Sequence, residues 1–374
     1  MVQFSAITAF VLLAASLTVA HPTAHMSQSE LSRRAEFHKA TRRSMGQCQD
    51  QLRRRGHLER SAARRASLAD ELRRRRGLAA RSPYKRALTM DEVLATSHES
   101  NTTGLTVDSD PFDGNASCVL APEVTQGPYF VDGEFVRSNI TEDQEGVYTY
   151  VDVELIDVST CEPVSDIYID FWHCNATGVY AGVVASGNGN SDDATNVNKT
   201  FLRGIQATNE EGYAQFETVF PGHYTSRASH IHIIAHGNGT LFDNGTFKAD
   251  SDYHVGQFFF DQDLITVVEA TSPYSTNTQE LTTNADDSIM AQEVEDETDG
   301  IDPVLEYVYL GDDVSDGLLA WGSMAIDLSS SYTISSAATL TEDGGVMSES
   351  SGGGMGGAPD SGNGTAPGNG TAPA

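Results

Sequence analysis

A twelve-residue segment, Pro221 to His232, contains one tyrosine, one arginine and three histidines. Two of these histidines, His230 and His232, are two positions apart in a run that predicts a β-strand, His230–Ala235. Because side chains alternate across a strand, both imidazoles leave the same face, with Cα atoms roughly 7 Å apart. The chain must therefore fold so that one strand presents two potential metal ligands side by side. Such a pair also occurs on strands that bind no metal, so its neighbours decide the interpretation.

The Pro221-Gly222 pair predicts a turn that brings Tyr224 just ahead of the two histidines. A phenol binds a metal only as the phenolate, and since the free pKa of tyrosine is about 10, the ion must acidify it. A hard trivalent ion such as Fe(III) does this better than Zn(II). The alternative is that Tyr224 is an aromatic residue of the turn and binds no metal.

Composition separates two N-terminal parts from the rest of the chain. Residues 1–20 carry an apolar run that is too short to span a bilayer and ends in small residues, which predicts a secretory signal peptide. Residues 21–86 hold eighteen of the 23 basic residues and end at Lys85-Arg86, which predicts a basic pro-segment removed at a dibasic site. The alternative is a basic arm that binds nucleic acid.

Three further parts follow: a linker (residues 87–116), one folded domain (117–330) and a Gly/Ser/Pro-rich tail (331–374) with too little apolar surface to fold. Runs in the domain that predict strands are Val147–Val158, Tyr168–Trp172, Tyr213–Phe220, His230–Ala235 and Gln257–Phe260. Their spacing predicts an all-β sandwich. The polar run Ser186–Asn198 predicts a flexible loop, and helical periodicity is confined to the basic pro-segment and Ser288–Glu297.

The charge of the chain limits its partners. The formal net charge is −30, and a cut after Arg86 would remove eighteen basic and six acidic residues, which changes it to −42. Such a surface repels nucleic acid and anionic membranes, so neither is an expected partner. We hypothesise that the basic segment neutralises the acidic body during folding. The processed chain is compatible with a monomer.

Cysteines and sequons indicate an oxidising, extracellular location. The four cysteines are Cys48, Cys118, Cys161 and Cys174, and three of them follow Arg86. One disulfide with one free or buried thiol is the simplest account, and the pairing stays open. Asn-x-Ser/Thr sequons, typical of a secreted glycoprotein, occur at Asn101, Asn115, Asn139, Asn175, Asn198, Asn238, Asn244, Asn363 and Asn369.

Groups of residues placed in a fixed order extend the histidine segment into a larger pattern. They are Pro122-Glu123 with Gly127-Pro128-Tyr129, Trp172-His173-Cys174 with Gly178 and Tyr180, Arg203-Gly204 with Gly212, and Pro221-Gly222 with Tyr224, Arg227, His230 and His232. In this order the set resembles the intradiol ring-cleavage dioxygenases, especially their secreted fungal members. The resemblance covers roughly Cys118 to Leu328.

The resemblance implies one non-haem ferric ion, Fe(3+), bound by Tyr180, Tyr224, His230 and His232, with Tyr224 as the axial ligand that leaves when substrate binds. It also implies a catechol-type substrate and O2, with the ring cleaved between the two hydroxyl-bearing carbons to give cis,cis-muconic acids. Two phenolates and one hydroxide balance the charge of Fe(III), so the centre avoids the cost of a buried net charge.

Arg227 matches the family arginine that stabilises developing negative charge. A preorganised charge at a buried reaction centre can lower the barrier by roughly 3 kcal/mol, so we expect Arg227→Ala to reduce turnover far more than stability. The alternative is a surface salt bridge, which is worth only about 0–1 kcal/mol. Tyr129, Phe130 and Gln257 are weaker candidates for the substrate wall, where packing alone is the alternative. For Tyr180 the alternative is a core aromatic at a strand end.

Three other histidines, His173, His223 and His236, are not expected to bind the metal, and Arg203 is expected to position a loop. Two hypotheses compete with the dioxygenase at the level of the whole protein. One is a secreted β-sandwich that binds a metal, a phenol or a carbohydrate without catalysis. The other is a zinc or copper site with hydrolytic or redox chemistry.

Overall fold

The structure is a computed structural model of the chain and describes residues 48, 50–78, 119–120, 127–294, 302–329, 331 and 334–348. The predicted signal peptide, the dibasic pair Lys85-Arg86 and the predicted linker lie outside the described residues. None of the helices in the described part is both long and apolar enough to cross a membrane.

Two β-sheets share one hydrophobic core, which confirms the all-β class. The first sheet has the order β1 (Val119–Leu120), β13 (Leu318–Ile326), β3 (Tyr148–Asp157) and β4 (Glu162–Pro163), with β12 (Glu306–Tyr309) beside β13 and β7 (Tyr213–Val219) beside β3. The second sheet has the order β11 (Asp252–Phe259), β8 (His230–His236), β5 (Tyr168–Trp172) and β6 (Arg203–Ala207).

Smaller elements surround the two sheets. Strands β9 (Gly239–Leu241) and β10 (Phe247–Ala249) form a ribbon, and β2 (Val131–Asp132), β14 (Ala338–Thr341) and β15 (Gly344–Met347) form a three-stranded sheet. The α-helices with defined bounds are α1 (His57–Arg76), α2 (Gln262–Glu269) and α3 (Ser288–Val294). All five predicted strand runs are strands, and β11 begins five residues before the predicted run.

Alternation along β8 separates two buried environments. Ile231, Ile233 and Ala235 point into the core between the sheets. His230 and His232 leave the other face, because successive side chains of a strand alternate. That outer face is also buried, since a second apolar cluster built from the loops around residues 130, 180 and 224 covers it. The sandwich thus positions the two histidines in a closed compartment outside its main core.

Helix α1 packs on the outer face of the first sheet. It runs from His57 to Arg76 and is capped by Gly77. Gly77 has a left-handed φ of 70° and donates its N–H to carbonyls of the last turn, which is a common glycine cap at helix C-termini. Ala69 and Leu72 on its buried stripe pack with apolar side chains of β12 and β13, among them Trp321. Helix α1 also covers Asp152 and Glu154, which leave β3 on the side away from the core.

The predicted tail begins too early at residue 331. Strand β14 pairs in parallel with β2 and with β15 in a hairpin, and Ala338 is fully buried. The backbone N–H of Ala337 donates to Phe130 O at 2.8 Å. Although the segment is rich in glycine and serine, strand addition to an existing edge satisfies its backbone groups without a large apolar surface. Residues 349–374 lie outside the described residues.

A disulfide joins Cys48 to Cys161, with Cα atoms 4.8 Å apart, and Cys174 is free and buried. One of the four cysteines, Cys118, lies outside the described residues. The bond connects the basic N-terminal segment to the turn between β3 and β4. It settles the cysteine pairing, which the sequence had left open.

Candidate metal centre

Three polar atoms from two parts of the chain converge in the closed compartment. The Nε2 atoms of His230 and His232 are 3.0 Å apart, and the Tyr180 hydroxyl lies 3.4 Å from the first and 3.2 Å from the second. All three side chains are at most 1% exposed. Tyr180 comes from the loop after β5, so residues fifty positions apart meet at one point.

The triangle has the dimensions of one face of a metal coordination sphere. Ligand atoms about 2.1 Å from one ion, at angles of about 90° to 110°, are separated by roughly 3.0 to 3.4 Å. His230 Nδ1 lies 2.6 Å from the carbonyl oxygen of Ala228, which can only accept, so Nδ1 carries the proton. In the neutral imidazole the Nε2 lone pair then faces the triangle, as a metal ligand requires.

Tyr224 completes the group from the side of the Pro221-Gly222 turn. Its ring centroid lies 5.3 Å from that of Tyr180 and 5.6 Å from that of His230, and the side chain is fully buried. The four residues predicted to bind iron are therefore brought together. No group of three or more His, Cys, Asp and Glu that could hold a metal occurs in the described part of the chain.

Both phenols are neutral in the protein alone. Burial raises the pKa of Tyr180 well above its usual value, and burial also raises that of Tyr224, against the opposing effect of Arg227. Phenolates in this compartment therefore need a cation that replaces the proton. A trivalent ion bound to both oxygens supplies that charge, so the donor set fits a hard, highly charged metal.

Arg227 lies inside this compartment and not at the surface. Its Nη1 donates to the Tyr224 hydroxyl oxygen at 3.4 Å, its Nη2 to Gln257 Oε1 at 2.5 Å and its Nε to Asp287 Oδ2 at 2.8 Å. Arg227 is 2% exposed and Asp287 fully buried, so the surface salt bridge considered for Arg227 is excluded. Burial alone would lower the pKa of Arg227, but Tyr224 and Asp287 raise it, so the guanidinium stays charged.

Aromatic rings form the walls of the compartment. Tyr129 stacks on Tyr180 with centroids 4.5 Å apart and meets the Tyr224 ring edge-on at 5.5 Å. Trp172 stacks on His232 at 4.8 Å with the planes nearly parallel. Phe130 packs against Trp172 at 5.5 Å, one layer behind the histidine. Of the weaker pocket candidates, Tyr129 contacts both tyrosines of the site and Gln257 contacts Arg227. The ring contacts of Phe130 are with Trp172 and His236.

Close backbone approach brings the two tyrosine loops together. Gly178 has a φ of 78°, and a Cβ there would lie 2.3 Å from His223 O. A Cβ at Gly222 would lie 2.5 Å from Asn175 O. Neither contact is tolerated by a residue with a side chain, so the glycines of both motifs are required for the loops to touch. Asn175 also accepts hydrogen bonds from the backbone N–H groups of Thr177 and Val179, which orders the turn before Tyr180.

Sequence reasoning missed the amides that hold Tyr180. Asn188 Oδ1 accepts from Tyr180 N at 2.8 Å, and the Nδ2 groups of Asn188 and Asn196 donate to Tyr180 O at 2.9 and 2.7 Å. Both amides also donate to Val183 O. They belong to the polar run predicted as a flexible loop, which includes a 3-10 turn, Ala194–Asn198. Nothing in their spacing distinguishes them from other loop asparagines.

Asp287 is a third residue that the sequence did not reveal. Besides Arg227, its Oδ2 accepts from Ala228 N at 2.8 Å, and its Oδ1 accepts from Ile289 N and Met290 N at the start of α3. Ala228 in turn accepts from His230 Nδ1. One carboxylate therefore orients both the arginine and, through one residue, a histidine.

The residues excluded from metal binding have other partners. His173 contacts Cys174 O and Thr218, His223 contacts Glu269 and Gln279 O, and His236 contacts Asp170 and Asp252. Arg203 donates to Tyr129 O and Ala181 O at 2.7 Å, so it ties down the two loops that carry the aromatic wall, as expected.

Comparison with known proteins identifies the family. No protein-family model matches the chain, and no curated protein matches it. An intradiol ring-cleavage dioxygenase from Tetranychus urticae is 32% identical over 57% of this chain and 95% of its own, with a TM-score of 0.44. A second structure, described as a crystal structure of a dioxygenase, is 32% identical over 56% of this chain and 95% of its own, with a TM-score of 0.44.

A more distant structure is the dioxygenase domain of a fusion with a carbohydrate-binding protein from Streptomyces sp. SirexAA-E, 20% identical over 55% of this chain and 97% of its own, with a TM-score of 0.34. The family assignment rests on the 32% identity across nearly the full length of the first relative. The resemblance inferred from the ordered motifs is thereby confirmed, while membership of a secreted fungal group stays a prediction. The chain belongs to the intradiol ring-cleavage dioxygenases.

Proposed function

We propose that the protein binds one ferric ion through Tyr180, Tyr224, His230 and His232 and cleaves catechol-type rings between their two hydroxyl-bearing carbons, giving cis,cis-muconic acids. The observation that carries this proposal is the convergence of the Tyr180 hydroxyl and two imidazole Nε2 atoms within 3.0 to 3.4 Å of each other in a buried compartment. When bound, ferric iron would keep both phenols ionised and make a chelating catecholate reactive toward O2.

The donor atoms of the site favour a ferric ion. Two phenolates and one hydroxide would cancel its three positive charges, which avoids an unpaired charge in a compartment whose members are almost fully buried. Two phenolates alone would neutralise divalent zinc or copper, so the preference for Fe(III) comes from the hard phenolate oxygens.

Tyr224 has the proton-transfer role in this proposal. Its phenol favours the protonated form when it is not bound to a cation, because burial raises its pKa. A Tyr224 oxygen that is not bound to a cation would therefore take up a proton readily, and a catechol hydroxyl would be its source. The Arg227 guanidinium, 3.4 Å from the same oxygen, remains charged and stabilises the negative charge that develops on the substrate.

The remaining residues of the compartment exclude water and orient the ring. Tyr129 offers a flat aromatic wall against both tyrosines, and its hydroxyl is buried without a hydrogen-bond partner among the described residues. Gln257 is fixed beside Arg227 and opposite His232 in the β11–β8 ladder. A planar, dihydroxylated aromatic molecule matches this combination of stacking surface and polar groups.

Oxygen uptake with a panel of catechols tests the activity. Both atoms of O2 enter the product, so the account predicts one muconic acid per O2 consumed and no requirement for a reductant. A semialdehyde product would show cleavage beside the hydroxyl-bearing carbons and would contradict the proposal. Iron bound without oxygen uptake on any catechol would favour the competing hypothesis, a binding module without catalysis.

Secretion is part of the same proposal. A disulfide between Cys48 and Cys161 supports an oxidising compartment, and the high acidic charge suits an extracellular setting. Recovery of the protein from the medium of expressing cells, with a first residue after position 20, tests this directly. Retention inside the cell with residues 1–20 intact would overturn it.

A further inference from the structure

Two acidic side chains of β3 are buried beneath helix α1. Asp152 is fully buried and Glu154 is 3% exposed, and both project from the face of the first sheet that points away from the core. Carboxylates are rarely so buried unless they are paired, because an isolated buried charge costs several kcal/mol. Their partners come from the basic segment that the sequence marked as removable.

Two neighbouring arginines of the helix bind both carboxylates. Arg64 contacts Asp152 at 2.8 Å and Glu154 at 3.1 Å, and Arg65 contacts the same two carboxylates at 3.1 and 3.2 Å. Ser61 donates to Glu154 at 2.5 Å. Each carboxylate therefore has two guanidinium partners, which is the arrangement that compensates burial of charge.

The C-terminal end of the helix is held by hydrogen bonds to backbone carbonyls and by apolar packing. Arg73 donates to the carbonyl oxygens of Tyr309 and Leu310, both at 3.2 Å. Leu72 is fully buried in a cluster with Leu319 and Trp321. The docked face thus combines buried ion pairs, backbone hydrogen bonds and apolar packing, as in the interior of one domain and unlike a loosely attached leader.

The disulfide joins the basic segment to the β-sandwich through Cys48, which precedes the predicted cleavage site in the chain. Cys48 lies nine residues before α1 and Cys161 lies in the turn after β3, whereas Lys85-Arg86 lies beyond the end of α1. Hydrolysis of a peptide bond between residues 79 and 117 adds one water and leaves this covalent link intact.

We propose that the basic segment around α1 is a permanent part of the working protein, and that the chain cut after Arg86 persists as two disulfide-linked chains. The shorter of the two chains, residues 21–86, is called the light chain. With the light chain bound, the protein keeps its formal net charge of −30, because residues 1–20 carry no charge. Loss of the light chain would change the net charge to −42. Its departure would also expose Asp152 and Glu154 without their cationic partners. The inference does not depend on the metal site.

The first experiment cuts the full-length protein at one place. A recognition sequence for a specific protease is introduced in place of residues near Lys85-Arg86, and the purified, cut protein is weighed intact without and with reductant. The expected result is one species without reductant, with the mass of the uncut protein plus one water, and two species after reduction. Two species without reductant would overturn the proposal.

The second experiment separates the non-covalent contribution. In a Cys48→Ser/Cys161→Ser background, the cut protein is expected to elute as one particle at low salt. Adding Arg65→Gln should weaken association of the light chain about a hundredfold, because it leaves each buried carboxylate with one guanidinium partner in place of two. Arg74→Gln removes the same charge from an exposed position of the same helix and should change the affinity by less than about twofold.

Equal affinities of the two arginine variants, or separation of the chains at low salt before any arginine is changed, would overturn the proposal. If Arg65→Gln prevents folding, Arg64→Gln serves in its place, since Arg64 is 12% exposed at its side chain and contacts the same carboxylates. Its effect must then exceed that of Arg74→Gln by at least about tenfold for the proposal to stand.

Discussion

The position of Arg227 results from three acceptors that surround one guanidinium. Gln257 and Asp287 hold its Nη2 and Nε, and Nη1 is left to face the Tyr224 oxygen. The arginine is thus both part of the site and half of a buried ion pair. Removing Arg227 would leave Asp287 as a buried charge without its cationic partner. The substitution should therefore also lower stability, contrary to the expectation from the sequence.

Arg227→Gln should reduce kcat about a hundredfold and lower the free energy of unfolding by about 3 to 5 kcal/mol. The double variant Arg227→Gln/Asp287→Asn removes both charges, so it should regain at least about 1 kcal/mol of stability without regaining turnover. Denaturant unfolding and oxygen uptake on the same samples measure the two effects. Recovery of turnover together with stability would show that Arg227 acts only through folding.

Asn188→Ala should weaken iron binding and lower the free energy of unfolding by about 1 to 3 kcal/mol, because it leaves the buried backbone N–H of Tyr180 without its acceptor. Asn190 is the matched control in the same loop, since its side-chain oxygen has no hydrogen-bond partner among the described residues. Asn190→Ala should leave both quantities within about 0.5 kcal/mol of the parent. Metal titration measures iron binding, and denaturant unfolding measures stability. Equal losses in the two variants would contradict the role assigned to Asn188 in holding Tyr180.

Short motifs made the four central residues recognisable before the structure was known. A His-x-His pair and tyrosines after Gly-containing turns have spacings that point to one place. Asp287, Asn188 and Asn196 could not be found in this way, because each acts through a single side chain on a distant backbone group. Their role depends on how loops fold back, which the local pattern does not contain.

At the scale of elements, the strands were predictable and the covering of the sheet was not. Val151, Val153 and Leu155 alternate along β3 and all three lie in the core. Asp152 and Glu154 project from the opposite face of the strand, and α1 covers them. Complementary charge on a helix far away in sequence decides this, and periodicity within one strand carries no information about it.

The pairing of Glu154 has a defined pH dependence. Burial alone would raise its pKa, but Arg65, His57 and Arg64 hold it well below its usual range. Because the folded-state pKa is depressed, its contribution to stability is complete above the usual glutamate pKa and is lost only as the pH falls through the folded value. The stability difference between the parent and Glu154→Gln should therefore stay constant from pH 7 to pH 4.5.

Denaturant unfolding across this range, on both proteins, measures that difference. Glu162→Gln is the control, since Glu162 is an exposed carboxylate whose side chain is 62% accessible and whose pair with Arg55 lies at the surface. A difference for Glu154→Gln that shrinks between pH 6 and 5 would contradict the assigned ion pairs.

The whole molecule carries a large negative charge, and the buried carboxyl of Glu134 favours its neutral form. Burial raises the pKa of Glu134 to about 8, against the opposing effect of Arg203. A raised folded-state pKa contributes stability that is complete below the unfolded value and is lost as the pH rises through the folded value. Self-repulsion of the acidic surface acts in the same direction, because protonation relieves it.

The free energy of unfolding should therefore fall as the pH rises from about 5 to 8. Glu134→Gln, which keeps the shape and removes the ionisable group, should reduce this slope, whereas an exposed substitution such as Glu210→Gln should not. Thermal or denaturant unfolding at several pH values measures the slopes. Equal slopes in the parent and in Glu134→Gln would contradict the assignment.

The visible absorption spectrum of the iron-supplied protein tests the central claim most directly. Phenolate bound to ferric iron gives a charge-transfer band that colours a protein red-brown, and a zinc protein has none. The account predicts this band in the parent, its reduction or loss in Tyr180→Phe, and its retention in Tyr129→Phe, whose ring stacks on Tyr180 without joining the triangle. A folded, iron-supplied parent without the band, or a band unchanged by Tyr180→Phe, would contradict the account.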